Sequence, residues 1–177
     1  MKSIYFTRHG QTVWNVENKI CGATDIDLTE LGHQQAVELG KVIKEQELHI
    51  DEILYSPLCR AMNTALHIAE ITGIPARVEP RLKEQAFGKW EGTARDGKEF
   101  YRDKMQFVTN YGDGESMLRL AQRIYNLLDE IKKDDKVYLL VAHNGIARVI
   151  NSYFFDMTNE EYSSFGIKNC QILEYKI

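Results

Sequence analysis

Val137-Tyr138-Leu139-Leu140-Val141 is a near-continuous apolar run. A strand with one face in water alternates apolar and polar residues. One that is apolar throughout is covered on both faces, the situation of a central strand in a parallel sheet. Parallel neighbours need a crossover connection, usually a helix, and the rest of the chain supplies strands and helices in alternation. Ile4-Tyr5-Phe6 ending at Thr7, Glu52 to Tyr55 and Ala76-Arg77-Val78 are further short strands, and Gln171 to Ile177 reads as an edge strand. Helical spacing of apolar residues runs from an N-cap at Thr29 to about Gln46, with Ala36, Leu39, Gly40 and Ile43 on one face. It recurs from Leu58 to Ile71, with Leu58, Ala61, Met62, Ala65, Leu66 and Ala69 inward and Ser56-Pro57 as the cap. Two more helices run from Ser116 to about Lys132, with Met117, Leu120, Ala121, Ile124, Leu128 and Ile131 inward, and from about Ile146 to Phe154. The pattern predicts an α/β fold: a three-layer sandwich with a mostly parallel central sheet and helices on both faces. Its active site is expected at the carboxyl ends of the strands. At 177 residues, 44% of them hydrophobic, the chain suits a single domain (residues 1–177). Residues 13–28 are polar and lack a clean period, a loop; residues 93–114 are a short insert or lid, with a short helix over about Asp96 to Gln106.

Three predicted strands end in groups suited to an anion. Thr7 is followed by Arg8, His9 and Gly10, and Val141 by Ala142 and His143. Arg60 lies in the first turn of the helix after Tyr55, off its apolar stripe; a helix start offers free N–H groups to an anion. Taken singly, Arg60 is equally a solvated arginine and His9 a turn histidine. A parallel sheet points its strand ends the same way, so all three can share one mouth. Glu84 and Glu91 lie in a glycine- and aromatic-rich loop between Leu82 and Gly92. Glu84 is either a buried acid or a partner for Lys83 or Lys89. Arg95, Lys98, Arg102 and Lys104 are either a solvated face or a lid over an anionic substrate.

The net charge is −4 and the isoelectric point about 5.8, which argues against a general nucleic-acid surface. Cys21, Cys59 and Cys170 are far apart, odd in number and without metal-ligand spacing, so they read as reduced thiols. No leader peptide and no stretch long enough to span a bilayer is expected, and cytoplasmic location follows by default.

Arg8-His9-Gly10-Gln11-Thr12 with Trp14-Asn15 resembles the opening signature of the histidine phosphatase superfamily, in its phosphoglycerate-mutase-like branch. Asp27-Leu28-Thr29 with Gly32 and Gln35-Ala36, Ser56-Pro57-Leu58 with Arg60-Ala61 and Thr64-Ala65, Glu84 with Gly88 and Trp90-Glu91-Gly92, Gly114-Glu115-Ser116 and Ala142-His143 continue the resemblance over essentially the whole chain. It implies that His9 is the nucleophile that accepts a phosphoryl group, that Arg8, Arg60 and His143 hold phosphate oxygens, and that Glu84, with Glu91 as rival, is proton donor and acceptor. It places Gln11, Thr12, Asn15, Cys21, Gly22 and Asn144 at the substrate. A nucleophilic imidazole must be neutral, and neighbouring cations favour that form. Two guanidinium forks and a second imidazole supply the charge that phosphoryl transfer needs, so neither metal nor cofactor is expected. Asn144 stands where many relatives have glycine. The family's mutases carry a longer insertion with an arginine pair after the Glu84 loop, and residues 93–114 are short and lack that pair. The resemblance therefore implies a phosphatase for a small phosphorylated metabolite, with a phosphoglycerate mutase, a phosphohistidine protein phosphatase or a catalytically weak phosphate-binding protein as alternatives. No nucleic acid or membrane partner is expected. A homodimer through the C-terminal edge strand is possible.

Overall fold

The computed structural model describes residues 2–177. Among them five strands, β1 (Ser3–Arg8), β2 (Glu52–Tyr55), β3 (Ala76–Val78), β4 (Tyr138–Ala142) and β5 (Ile172–Lys176), form one sheet in the order β3-β2-β4-β1-β5. The apolar run is the middle strand. It is paired in parallel with β1 and β2, and all five of its residues are buried. Its end lies one residue later than its apolar pattern indicates, at Ala142. β5 closes the sheet as an antiparallel edge against β1.

Successive strand residues point to opposite faces, and two cores divide accordingly. Ile4, Phe6, Leu54, Leu140 and Ala142 pack against α5 (Met117–Ile131) and α6 (Asn144–Phe154). Ile53, Leu139 and Val141 pack on the other face against α2 (Glu30–Glu45) and α3 (Cys59–Thr72). The sheet is thus covered by helices on both faces. Burial of each such leucine or isoleucine contributes about 2 kcal/mol. Local chemistry sets the ends. The Thr29 hydroxyl accepts the Gly32 N–H at 3.0 Å and starts α2, and Gly73, at φ 76°, ends α3 in the left-handed region.

Three boundaries and one helix face differ from the sequence reading. α3 is capped by Leu58 without a side-chain bond; the Ser56 hydroxyl lies two residues earlier, accepting the Leu58 N–H at 3.3 Å and meeting His143. Its buried face holds Arg60, Ala61, Thr64, Ala65 and Ile68, while Leu66 is 46% exposed. Arg60 therefore lies within the buried stripe. The polar row Arg60–Thr64 fills the end of the face that meets the strand ends, where apolar spacing gives no signal. α6 begins at Asn144 rather than Ile146, with His143 as its cap. The loop over 13–28 opens with a single helical turn, α1 (Val13–Val16), held by a reciprocal Thr12–Asn15 capping box.

The helix in the insert is α4 (Lys98–Lys104), inside the expected span. It rests on a small separate core of Ile20, Phe87, Phe100 and Tyr111 with Trp90 beside them. Trp90 Nε1 donates to Asp103 at 3.0 Å and Lys89 pairs with Asp103 at 3.3 Å, which fixes α4 from one side. A further short helix, α7 (Asn159–Ser164), starts at a Thr158–Glu161 capping box. Threonine followed three residues later by glutamate was its available signal. Among the described residues no helix is long and apolar enough to cross a membrane.

Candidate active site

Strand register assembles the site. Arg8 of β1 pairs with Ala142 of β4, and Tyr55 of β2 pairs with Val141. The first residues beyond these pairs are His9, His143 and Ser56. The His9 N–H still donates to Ala142 O at 3.0 Å, and the Ser56 N–H to Val141 O at 3.1 Å. The two imidazoles consequently face each other, with ring centroids 5.2 Å apart and planes at 57°. Gly10 then turns the chain away. A Cβ there would collide with the backbone of Gly32, and its N–H donates to Thr64 Oγ1 at 3.0 Å, tying the turn to α3.

His9 is 4% exposed and His143 fully buried. His9 Nδ1 lies 2.7 Å from Gly10 O. A carbonyl oxygen can only accept, so Nδ1 carries the proton and the neutral ring presents its lone pair at Nε2. Burial, then the charges of Arg60 and Arg8, hold the His9 pKa well below its usual 6.5. Burial, rather than the cations alone, is the larger reason that this imidazole is neutral. His143 is shifted the same way by burial, then by Arg60 and His9. Its Nε2 meets the Ser56 hydroxyl at 2.6 Å, while its buried Nδ1 has no protein partner.

The guanidinium groups are similarly incomplete. Arg60 donates to Gly22 O at 2.7 Å and Thr24 O at 2.9 Å, and Arg8 to Ile167 O at 2.9 Å. Both keep a buried Nε without a partner. Burial, followed by Arg95, lowers Arg8 to about 10. Unpaired buried donors are rare in proteins, and their concentration around one imidazole suits an anion that accepts several hydrogen bonds at once.

The two glutamates separate clearly. Glu91 accepts from the N–H groups of Ala23 at 2.8 Å, Thr24 at 2.9 Å and Phe87 at 3.1 Å, and from the Thr24 hydroxyl. It clamps the loop that carries Gly22. Glu84 lines the cleft above His9, accepting from Gln85 N at 2.9 Å and Gly145 N at 2.9 Å. Its reach depends on Gly145, since a Cβ there would fall on Glu84 Oε1.

The cleft has about 480 Å³ of empty space, its open mouth included. Arg8, His9, Asn15, Cys21, Glu84 and Asn144 line it. Arg60 and His143 are fully buried beside His9. Gln11, Thr12 and Gly22 do not line it. Gln11 is bonded to Gln35 and Thr29, Thr12 caps α1, and the Gly22 carbonyl holds Arg60. The Asn144 side chain accepts the Ile167 N–H at 2.9 Å. Burial pushes the Cys21 thiol up, so it is no rival nucleophile. Sequence reasoning missed Arg148 as a lining residue and Ser56 as the partner of His143. Arg148 carried a faint signal, a lone cation interrupting the apolar face of α6. Among the described residues, no group of three or more His, Cys, Asp or Glu side chains is arranged to hold a metal ion.

The two depressed histidines also make stability depend on pH. Unfolded, each takes up a proton near its ordinary 6.5, whereas folded His9 and His143 do not until well below it. The unfolded state then binds more protons, so stability falls as pH drops below about 6.5, by up to about 1.4 kcal/mol per histidine per pH unit. Thermal unfolding at pH 7.5, 6.5 and 5.5 should show a steeper loss of Tm in the lower interval. His143→Gln should flatten that slope; an unchanged slope would contradict the assignment.

A family model described as histidine phosphatase superfamily (branch 1) matches residues 4–177. The chain is 32% identical to the protein named probable phosphoglycerate mutase GpmB of Erwinia tasmaniensis, over 97% of its own length and 83% of the relative's. It is 26% identical to glucosyl-3-phosphoglycerate phosphatase of Mycolicibacterium vanbaalenii, over 94% and 80%. Among solved structures it is similar to mycobacterial glucosyl-3-phosphoglycerate phosphatase complexed with VO3 (TM-score 0.84, 27% identity, 98% of this chain and 90% of that one). It is also similar to phosphoserine phosphatase of Entamoeba histolytica in complex with 3-phosphoglyceric acid (TM-score 0.83, 29% identity, 98% and 90%). The facing histidines, the arginines around them and this match agree: the chain belongs to the histidine phosphatase superfamily.

Proposed function

We propose that this protein is a phosphomonoester hydrolase for a small phosphorylated metabolite, acting through a phosphohistidine at His9. The observation that carries the reading is a neutral imidazole whose Nδ1–H is committed to Gly10 O, leaving the Nε2 lone pair among orphaned cationic donors. Nε2 attacks phosphorus in line, the N–P bond forms, and the P–O bond to the alcohol breaks. Arg8, Arg60 and His143 stabilise the oxygens on which charge gathers. Glu84 gives its proton to the leaving oxygen. An anion arriving beside a carboxylate favours the protonated acid, so the substrate prepares the donor. Glu84 then takes a proton from water, whose oxygen attacks phosphorus and frees His9 and inorganic phosphate. The depth of His9, 4% exposed, favours a small ester over a phosphohistidine on a protein surface. Residues 93–114, with α4, act as the cover of the cleft.

The second reading, a phosphoglycerate mutase, is favoured by the relative named GpmB. The two are separated by supplying 3-phosphoglycerate and p-nitrophenyl phosphate in EDTA. Hydrolysis predicts release of inorganic phosphate and p-nitrophenol. Accumulation of 2-phosphoglycerate with little phosphate selects the mutase, and no turnover of any ester rejects both.

A further inference from the structure

The cleft carries more positive charge than one phosphate explains. Besides Arg8, it is lined by Arg95 from the insert, Lys104 at the end of α4 and Arg148 from α6; among the described residues Glu84 is the one carboxylate on its walls. These three cations come from separate elements and none meets a carboxylate within 4 Å among the described residues. Arg95 Nη2 donates to Lys19 O at 3.0 Å and Arg148 Nε to Phe165 O at 2.8 Å, both neutral carbonyls. Elsewhere Arg77, Arg81 and Arg123 each meet a glutamate. On α4, Asp103 is spent on Trp90 and Lys89, so Lys104 keeps no acidic neighbour. Like charges held together out of water are unfavourable, and an anion between them removes the penalty.

We propose that Arg95, Lys104 and Arg148 form a second anion subsite, so that the alcohol half of the substrate carries an acidic group of its own, a carboxylate or a second phosphate. The carbon skeleton passes apolar walls made by Ile20, Phe87 and Phe100. The proton equilibria agree: burial, then Arg148 and Arg95, push Lys104 down to about 7, the behaviour of an ammonium group without a counter-charge. The subsite rests on the hydrolase reading and names the substrate class for it. The cleft then grips a doubly anionic small molecule at both ends, phosphate at His9 and acid at the insert.

The test pairs esters that differ only in the distal group: 2-phosphoglycolate against ethyl phosphate, with ethane-1,2-diol bisphosphate separating carboxylate from phosphate. The wild-type protein should favour the acidic ester by about 10- to 100-fold in kcat/KM, mostly through KM. Lys104→Gln and Arg95→Gln should shrink that ratio about tenfold, a readout in which a general loss of activity cancels, and Lys104→Arg should restore it. Equal turnover of the pair, or a preference untouched in both glutamine variants, overturns the subsite. Should neither ester be hydrolysed, the hydrolase reading fails separately. Calorimetry then decides the subsite, which requires tighter binding of 2-phosphoglycolate than of ethyl phosphate, lost in Lys104→Gln; equal affinities overturn it.

Discussion

His9→Ala is expected to lower phosphate release by about 10⁴- to 10⁶-fold, the range found when a covalent nucleophile or its essential partner is removed from other enzymes. The size follows from the absence of a substitute among the lining groups. His143 is committed to Ser56 through Nε2, Cys21 is kept protonated by burial, and Glu84 is occupied by two backbone N–H groups. Wild-type protein quenched in alkaline denaturant should retain base-stable, acid-labile phosphate after a burst with labelled substrate, and the alanine variant none. The variant keeps its fold, because strand pairing and the Gly10–Thr64 bond hold the turn without the ring. A variant within about tenfold of wild type would end the covalent reading.

Glu84→Gln is the second large effect, about 10²- to 10⁴-fold, the usual worth of a positioned acid–base group. The Gln85 and Gly145 N–H groups bond to different oxygens of the carboxylate, so the amide oxygen keeps one of these bonds and the amide NH2 forfeits the other, while proton exchange is lost altogether. The loss should be greater for alkyl phosphates than for p-nitrophenyl phosphate, because p-nitrophenolate departs without a proton. Glu91→Gln makes the control. Its carboxylate takes N–H groups from Ala23, Thr24 and Phe87, so its replacement should lower Tm more than it changes the leaving-group dependence. If Glu84→Gln turned over alkyl phosphates normally while Glu91→Gln could not, the acid would be Glu91.

The sheet was legible because its signal is local. The unbroken apolar run at 137–141 announces a strand covered on both faces, and the caps Thr29 and Ser116 and the stop Gly73 need only their neighbours. The site was legible in part. Arg8, His9 and His143 follow directly from strand ends, but Glu84 was set apart from Glu91 only by the family resemblance. Composition treats two loop carboxylates alike, and hydrogen bonds from segments 60 or more positions away separate them. Ser56 looked like a helix cap because serine before proline usually is one; its hydroxyl accepts only the Leu58 N–H ahead of α3 and also meets His143, the residue just beyond β4. Gln11 and Thr12 share the opening signature with His9 yet are not among the residues lining the cleft, one being bonded to Gln35 and Thr29 and the other capping α1. Arg148 and Lys104 escaped notice as a pair, since nothing in their spacing says that α4 and α6 bring them to one wall.

The pairing of Arg8 with Ala142 and Tyr55 with Val141 has an evolutionary corollary. The distance between the His9 and His143 imidazoles is set first by a count of peptide units along two parallel ladders, and the Thr64 and Ser56 hydroxyls only hold what that count has placed. Loops can lengthen, shorten or change composition without disturbing that count, whereas one residue gained or lost inside β1 would turn His9 to the wrong face of the pleat. Descendants of such a protein are thus free to explore new esters by editing the insert, and are barred from relocating the chemistry.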